Sequence, residues 1–269
     1  MLALSACSGK TAHPDNQESR LPIRTVFVPE FASIIDSANV IGSILIYDDN
    51  SSTYYSNDFE WAKRGRLPAS TFKITNSIIA LETGIIENDS TLFIWNGEDR
   101  RLQIWEQDLH FQDALHYSCV PCYQEVARKI GADRMSDHLD KLDYGSMQVD
   151  SSNIDLFWLE GDSRISQFQQ IEFLQRFYDS ELPISARTET IMKRMLVLEN
   201  HDQYTISGKT GWSIRNGNNN GWFVGYLESK DKIYFFATNV EPQTQFDMSL
   251  FPMIRAEVTY KAFQQMNLL

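Results

Sequence analysis

Apolar residues follow two periods along this chain, and the change from one to the other divides it into three parts. Val40-Ile-Gly-Ser-Ile-Leu-Ile-Tyr47 is a short, nearly unbroken apolar run, which predicts a buried strand. Asp48-Asp-Asn-Ser-Ser52 forms a turn, and Thr53-Tyr-Tyr-Ser56 predicts a second strand. Residues 25–37 predict a strand or turn and then a helix, and 59–65 are polar. From 86 to 180 the period is helical. Helix pieces are expected over Leu102–Glu106 and before Ser118. Longer ones are expected over Pro121–Ile130, capped by Gly131, over Met135–Leu142, and over Ser166–Phe177 with Ser166 as N-cap. Thr188–Met195 predicts another. The short period then returns in Gln203–Trp212, Gly221–Glu228 and Lys232–Val240, the last two forming a hairpin around Ser229-Lys-Asp-Lys232. Residues 248–266 predict a terminal helix.

Strands at both ends and helices between them imply an α/β (α+β) fold, a sheet interrupted by a helical insertion with a cleft between the two. The expected division is one domain over 23–269. Its sheet lobe covers about 23–65 and 196–269, and its helical lobe about 66–195. Residues 1–22 stand apart.

One stretch lies where sheet and insertion meet. Pro68-Ala-Ser-Thr-Phe-Lys73 opens an apolar helix in which Ile74, Ile78, Leu81 and Ile85 recur at helical spacing, and Gly84 is placed to end it. Ser70 and Lys73 are i and i+3 and share a face. A hydroxyl beside an amine, at the positive end of a helix dipole, is a candidate nucleophile with its base. Ser-x-x-Lys is nevertheless common enough to arise about once by chance in a chain this long. It recurs at Ser229 and Lys232, in the turn of the terminal hairpin.

Composition narrows the alternatives. The 269 residues, 42% of them hydrophobic, suffice for a large core, while the net charge of −12 argues against a nucleic-acid partner. No apolar run reaches membrane-spanning length. Leu4-Ser5-Ala6-Cys7 resembles a bacterial lipoprotein processing site that has lost its leading segment, and polar residues 8–20 follow as a tether. Cys7 is therefore a candidate for lipidation and membrane attachment. Cys119-Val-Pro-Cys122 matches a redox motif superficially, but it lies mid-chain among helical patterns, so a plain pair of small buried residues is expected. No metal-ligand pattern emerges around His116, Cys119 and Cys122, and no metal is expected.

Four segments join Ser70 and Lys73. Ser118-Cys119-Val120 precedes a helix, so Ser118 is either its cap or a hydroxyl that relays a proton. In Lys209-Thr210-Gly211 the lysine supplies charge, the threonine a hydroxyl for a carboxylate, and the glycine close access to the strand backbone. Tyr144-Gly145-Ser146 and Trp158-Leu159-Glu160-Gly161 belong either to the core or to the cleft border.

In this order, and with flanks such as Gly221-Trp-Phe-Val-Gly225, the motifs closely resemble the class D (oxacillinase-type) serine β-lactamases, from about Ser43 to Val240. The resemblance implies the β-lactamase and penicillin-binding transpeptidase fold, with an antiparallel sheet flanked by helices plus a helical subdomain. It also implies hydrolysis of the β-lactam amide through a Ser70 acyl-enzyme, in the bacterial periplasm or cell envelope. A neutral Lys73 would take up carbon dioxide, supplied as bicarbonate, and become N6-carboxylysine. Trp158 would hold that carbamate, and Phe72, Val120 and Leu159 would wall the amine. Backbone N–H groups of Ser70 and Trp212 would form the oxyanion hole, Ser118 would deliver a proton to the leaving nitrogen, and Lys209, Thr210, Gly211 and Trp212 would bind substrate. Two positions depart from the family pattern. Ser146 stands where Asn is usual, and Phe251 stands near the position of a carboxylate-binding arginine. Arg215 is taken as the substitute, with Arg255, one turn into the terminal helix, as the other candidate. The rival readings are a β-lactam sensor that is acylated without turnover, a cell-wall peptidase and a catalytically dead binding protein.

Overall fold

The computed structural model describes residues 22–269, so Cys7 and the tether lie outside the described residues. The first elements are β1 (Arg24–Phe27), α1 (Pro29–Ser37), β2 (Val40–Asp48), β3 (Thr53–Ser56) and α2 (Phe59–Lys63). A 3-10 turn (Ala69–Phe72) runs directly into α3 (Lys73–Glu82). A small ladder of β4 (Leu92–Phe93) and β5 (Leu109–His110) brackets a loop with its own 3-10 turn (Gln103–Trp105). Five helices follow: α4 (Phe111–His116), α5 (Val120–Ile130), α6 (Ala132–Leu142), α7 (Gln167–Tyr178) and α8 (Ala186–Met195). The chain ends with β6 (Val197–Asn200), β7 (Tyr204–Arg215), β8 (Asn218–Ser229), β9 (Lys232–Pro242) and α9 (Phe251–Gln265).

Seven strands form one sheet in the order β1-β3-β2-β9-β8-β7-β6. All pairs are antiparallel except β1 with β3, as the expected fold class requires. Both faces of β2 and β9 are covered, which explains their unbroken apolar runs. Alternation still sorts their side chains. Ile44, Ile46 and Phe236 enter one core with Phe31 and Ile35 of α1 and with Val258 and Phe263 of α9. Leu45, Tyr47, Phe235 and Ala237 enter a second core with the helical insertion.

Some boundaries differ from the sequence reading. Helix α7 begins with a full capping box, in which Ser166 Oγ accepts from Gln169 N–H at 3.2 Å and Gln169 Oε1 accepts from Ser166 N–H at 2.9 Å. It packs on the sheet and on the insertion together: Gln167 Nε2 donates to Ser43 O at 2.9 Å and also to Ala237 O, while Phe173 meets Tyr144 edge-on at 4.8 Å and Arg176 Nη2 donates to Leu142 O at 2.6 Å. Strand β7 does not stop at Trp212. It continues into a tight hairpin in which Arg215 faces Asn218 across Asn216 and Gly217, whose φ values are 50° and 78°. Asn-Gly at positive φ is the two-residue hairpin turn. Helix α2 went unread, although Asp58 caps it by accepting from Trp61 N–H at 2.8 Å.

Candidate active site

The nucleophile candidate sits on a 3-10 turn, not on the first turn of the α-helix. Residues i and i+3 eclipse in that geometry, so Lys73 stands directly over Ser70, and its Nζ lies 2.9 Å from Ser70 Oγ. The turn is tied down on several sides. Thr71 N–H and Thr71 Oγ1 both donate to Pro68 O, at 3.2 and 2.6 Å. Ala69 N–H donates to Trp158 O at 2.9 Å, and Trp222 Nε1 donates to Leu67 O at 2.8 Å. Ala69 has φ of 50°, a left-handed conformation that costs a non-glycine residue roughly 1–3 kcal/mol and persists only where neighbours over-determine it.

Lys73 is fully buried. Its Nζ lies 5.2 Å from the centroid of the Tyr123 ring. Burial holds its pKa well below that of an ordinary lysine, and the nearby charge of Lys209 lowers it further. Both effects favour the uncharged amine. Trp158 is also fully buried, its indole stacked on Phe72 at 5.4 Å and edge-on to Phe157 at 5.1 Å. Its indole N–H has no partner among the described residues, and a buried orphan donor calls for an acceptor.

Ser118 faces this pair from the end of α4. It does not cap the next helix. That helix starts at Val120, and its N-cap is Cys119, whose sulfur accepts from Cys122 N–H at 3.3 Å. Ser118 Oγ is left free to accept a short hydrogen bond from Lys209 Nζ. The expectation of two plain cysteines is corrected here. The first turn of α5 carries Cys122 back over its own N-cap, with Cα atoms 5.4 Å apart, and Cys119 and Cys122 are joined as a disulfide.

Strand β7 brings the other side of the site. A Cβ on Gly211 would lie 3.1 Å from both Pro68 O and Thr71 Cγ2, so glycine lets the strand seat against the nucleophile turn. Lys209 is buried beside it, and desolvation, then the charge of Arg255, lower its pKa to about 7. The open cleft between the two sides has a volume of about 810 Å3. Ser70, Ser118, Val120, Leu159, Thr210 and Trp212 all line it, while Lys73, Trp158 and Lys209 are buried.

The arginine taken as the carboxylate-binding substitute does not line the cleft. Arg215 lies beyond the cleft at the far end of β7, where Asp162 accepts from its Nη2 at 3.0 Å. Arg255, by contrast, does line the cleft, beside Trp212 and Pro252. It reaches there because Gly221 leaves a gap, since a Cβ at 221 would lie 2.6 Å from Arg255 Cγ. Its guanidinium donates from Nη1 to Gly211 O at 2.6 Å and from Nη2 to Pro252 O at 3.1 Å, and lies 5.8 Å from the Trp212 ring centroid. Phe251 packs against Trp212 at 5.4 Å. Tyr144 does not border the cleft either. It is buried, and its hydroxyl donates to Gln170 Oε1 at 3.4 Å, while Gln170 Nε2 donates to Thr71 Oγ1 at 2.9 Å. Gly145 turns at φ 60°, and Ser146 pairs with Arg164 through backbone N–H and C=O groups.

The sequence pattern of the penicillin-binding protein transpeptidase domain matches residues 38–259. The chain is 40% identical over 217 residues to β-lactamase OXA-48 of Klebsiella pneumoniae, covering 81% of this chain and 82% of that one. A crystal structure of a class D β-lactamase from Nostoc superposes with a TM-score of 0.84 at 41% identity, covering 89% of this chain and 99% of that one.

The chain belongs to the class D β-lactamase family.

A second kind of relative is more distant. The regulatory protein BlaR1 of Bacillus licheniformis is 30% identical over 222 residues, which make up 82% of this chain but 37% of that protein. In this class D β-lactamase Arg255, one turn after Phe251 on α9, lines the cleft, and Arg215 does not. The signal that separates them is Gly221, read as a strand glycine rather than as room for a long side chain.

Proposed function

We propose that this chain hydrolyses β-lactam antibiotics, with Ser70 as the acylated nucleophile. The observation that carries the reading is Ser70 Oγ at 2.9 Å from the amine of a fully buried lysine whose pKa burial lowers, with a second hydroxyl and lysine facing it across the cleft. Serine attacks a carbonyl only when a base removes its proton. We propose that Lys73 provides that base as N6-carboxylysine. Three features of the chain fit the modification: an uncharged Nζ, apolar surroundings and the unpartnered indole N–H of Trp158. The carboxylated amine would supply an anionic oxygen base at neutral pH.

Ser70 Oγ then attacks the lactam carbonyl, and the backbone N–H groups of Ser70 and Trp212 stabilise the developing oxyanion. Ser118 passes its proton to the ring nitrogen as the C–N bond breaks, and Lys209 replaces it. Water later hydrolyses the Ser70 ester. Thr210 and Arg255 take the substrate carboxylate, with Val120, Leu159 and Trp212 framing the cleft around the rest of the molecule. Arg215 has no part in this.

The test is a chromogenic cephalosporin and a penicillin, each with and without added bicarbonate. Many turnovers per protein, slowed by bicarbonate depletion and restored by its return, support the whole reading. A single stoichiometric burst would make the protein a sensor instead, and turnover indifferent to bicarbonate would remove the carboxylysine while keeping the hydrolase.

We also propose a periplasmic or envelope location with Cys7 lipidated, on the strength of Leu4-Ser5-Ala6-Cys7 and the polar tether behind it. Among the described residues no helix is long and apolar enough to cross a membrane. Mass spectrometry of protein from its native host, finding Cys7 unmodified, removes the anchor.

A further inference from the structure

We infer that the Cys119–Cys122 disulfide is a positioning device for Ser118, so that ring opening depends on the redox state of this pair. The inference rests on the reading that Ser118 delivers the proton to the leaving nitrogen.

The pair sits inside the site's own backbone. Cys119 lies between Ser118 and Val120, two residues that line the cleft. Ser118 has φ of 53°, a left-handed conformation that a serine does not favour on its own. What holds it is the segment around it. Ser118 N–H donates to Leu115 O at 3.1 Å, Cys119 N–H donates to Ala114 O at 2.9 Å, and Trp105 Nε1 donates to Tyr117 O at 2.9 Å. Those three bonds fix the approach from α4. The disulfide is the covalent tie on the other side, fastening Cys119 across the first turn of α5. Together they aim Ser118 Oγ at Lys209 Nζ.

Reduction removes that tie and adds a second disturbance. Cys119 and Cys122 are 0% and 2% exposed, so both sulfurs lie in close-packed surroundings. Two thiols cannot sit as near one another as two bonded sulfurs, so one must move, and Cys119 is directly bonded to Ser118. In the reaction a dithiol reductant gives two electrons and two protons to the S–S bond. The bond opens to two thiols, and the reductant closes to its own disulfide.

The effect should be confined to one half of the catalytic cycle. Acylation needs Ser118 to protonate the departing nitrogen. Hydrolysis of the ester needs the base at Lys73 and the Trp158 N–H, and takes no proton from Ser118. A generic loss of packing would slow both steps.

The experiment is single-turnover kinetics on four proteins: oxidised wild type, wild type reduced with a dithiol until two thiols titrate, Cys119→Ala/Cys122→Ala and Ser118→Ala. Acylation is expected to slow about tenfold in the reduced and the double-alanine proteins. Deacylation of acyl-enzyme formed on oxidised protein and then reduced should stay within about twofold, and reoxidation should restore acylation. Unchanged acylation in the reduced protein and the double variant, with Ser118→Ala impaired, overturns the inference alone. Equal slowing of both steps overturns it too. Normal acylation by Ser118→Ala would instead overturn the proton-delivery reading on which it rests.

Discussion

The chain contains Ser-x-x-Lys twice, and the two copies share nothing beyond their spacing. At Ser229 and Lys232 the pattern closes a two-residue hairpin, with Lys230 and Asp231 at φ 51° and 64°. Ser229 Oγ donates to Leu268 O at 2.9 Å, and Lys232 is exposed. Strand geometry makes these two residues cross-strand partners, and the amine is open to water. At Ser70 and Lys73 the same spacing falls on a 3-10 turn followed by a buried helix. There burial lowers the pKa of the amine and favours its uncharged form. What decides chemistry is therefore the dielectric around the lysine, not its distance in sequence from a serine.

Replacing the serines should separate the copies most sharply. Ser70→Ala is expected to lose at least about 10,000-fold in kcat/KM with all acyl-enzyme formation, while Ser229→Ala hydrolyses substrate at the wild-type rate. Covalent capture of penicillin measured by mass spectrometry reads both. Labelling at Ser229 would erase the distinction.

The lysines come next, with opposite signs for activity and stability. Lys73→Met should cost about a thousandfold in kcat and raise the melting temperature, because an amine held uncharged in the core burdens the fold. The sign follows from the lowered pKa. The unfolded chain binds the proton that the folded chain has shed, so the penalty is full at low pH. It then diminishes as pH rises and is gone above the ordinary lysine value of about 10.4. Thermal melts from pH 6 to 10 should show wild type gaining on Lys73→Met with pH, whereas Lys232→Met follows wild type throughout.

Trp158→Phe keeps the stacking on Phe72 and deletes only the N–H. Loss of a hydrogen bond to a charged group should slow deacylation about 10- to 100-fold and let the acyl-enzyme accumulate. Steady-state turnover without accumulation would mean the indole donor is not used.

A smaller effect belongs to the cleft wall. Arg255→Ala should raise KM about tenfold, and Arg215→Ala should leave it within about twofold. Lys209, with a pKa of about 7, is protonated below neutrality and attracts the substrate carboxylate there, so KM should rise as pH passes 7. Removing Arg255 removes the second cause of that lowering, so the rise should move to higher pH. A KM profile that stays in place would separate the two cations.

Much of the fold was legible because its elements obey simple periods. The core strands, the N-cap at Ser166 and the helix stop at Gly84 were all recoverable from local sequence. What escaped was set by contacts distant in sequence. The Gln167 amide ties helix α7 to Ser43 and Ala237 of the sheet, residues 124 and 70 positions away. Cys119 and Cys122 were weighed by sequence context, and their bond follows from the way α5 turns over its own cap. Arg215 was preferred because it follows Lys-Thr-Gly, yet Asp162, from a different loop, holds it away. Most of the candidate catalytic residues were found through order along the chain, a signal that spacing alone does not contain.

The hydrogen bond from Trp222 to Leu67 joins residues 155 positions apart, and that from Lys209 to Ser118 joins residues 91 apart. The cleft is therefore a meeting of distant segments and not a local motif: it exists only while the strand and the nucleophile turn are held together, and a heated protein should lose antibiotic breakdown when they part.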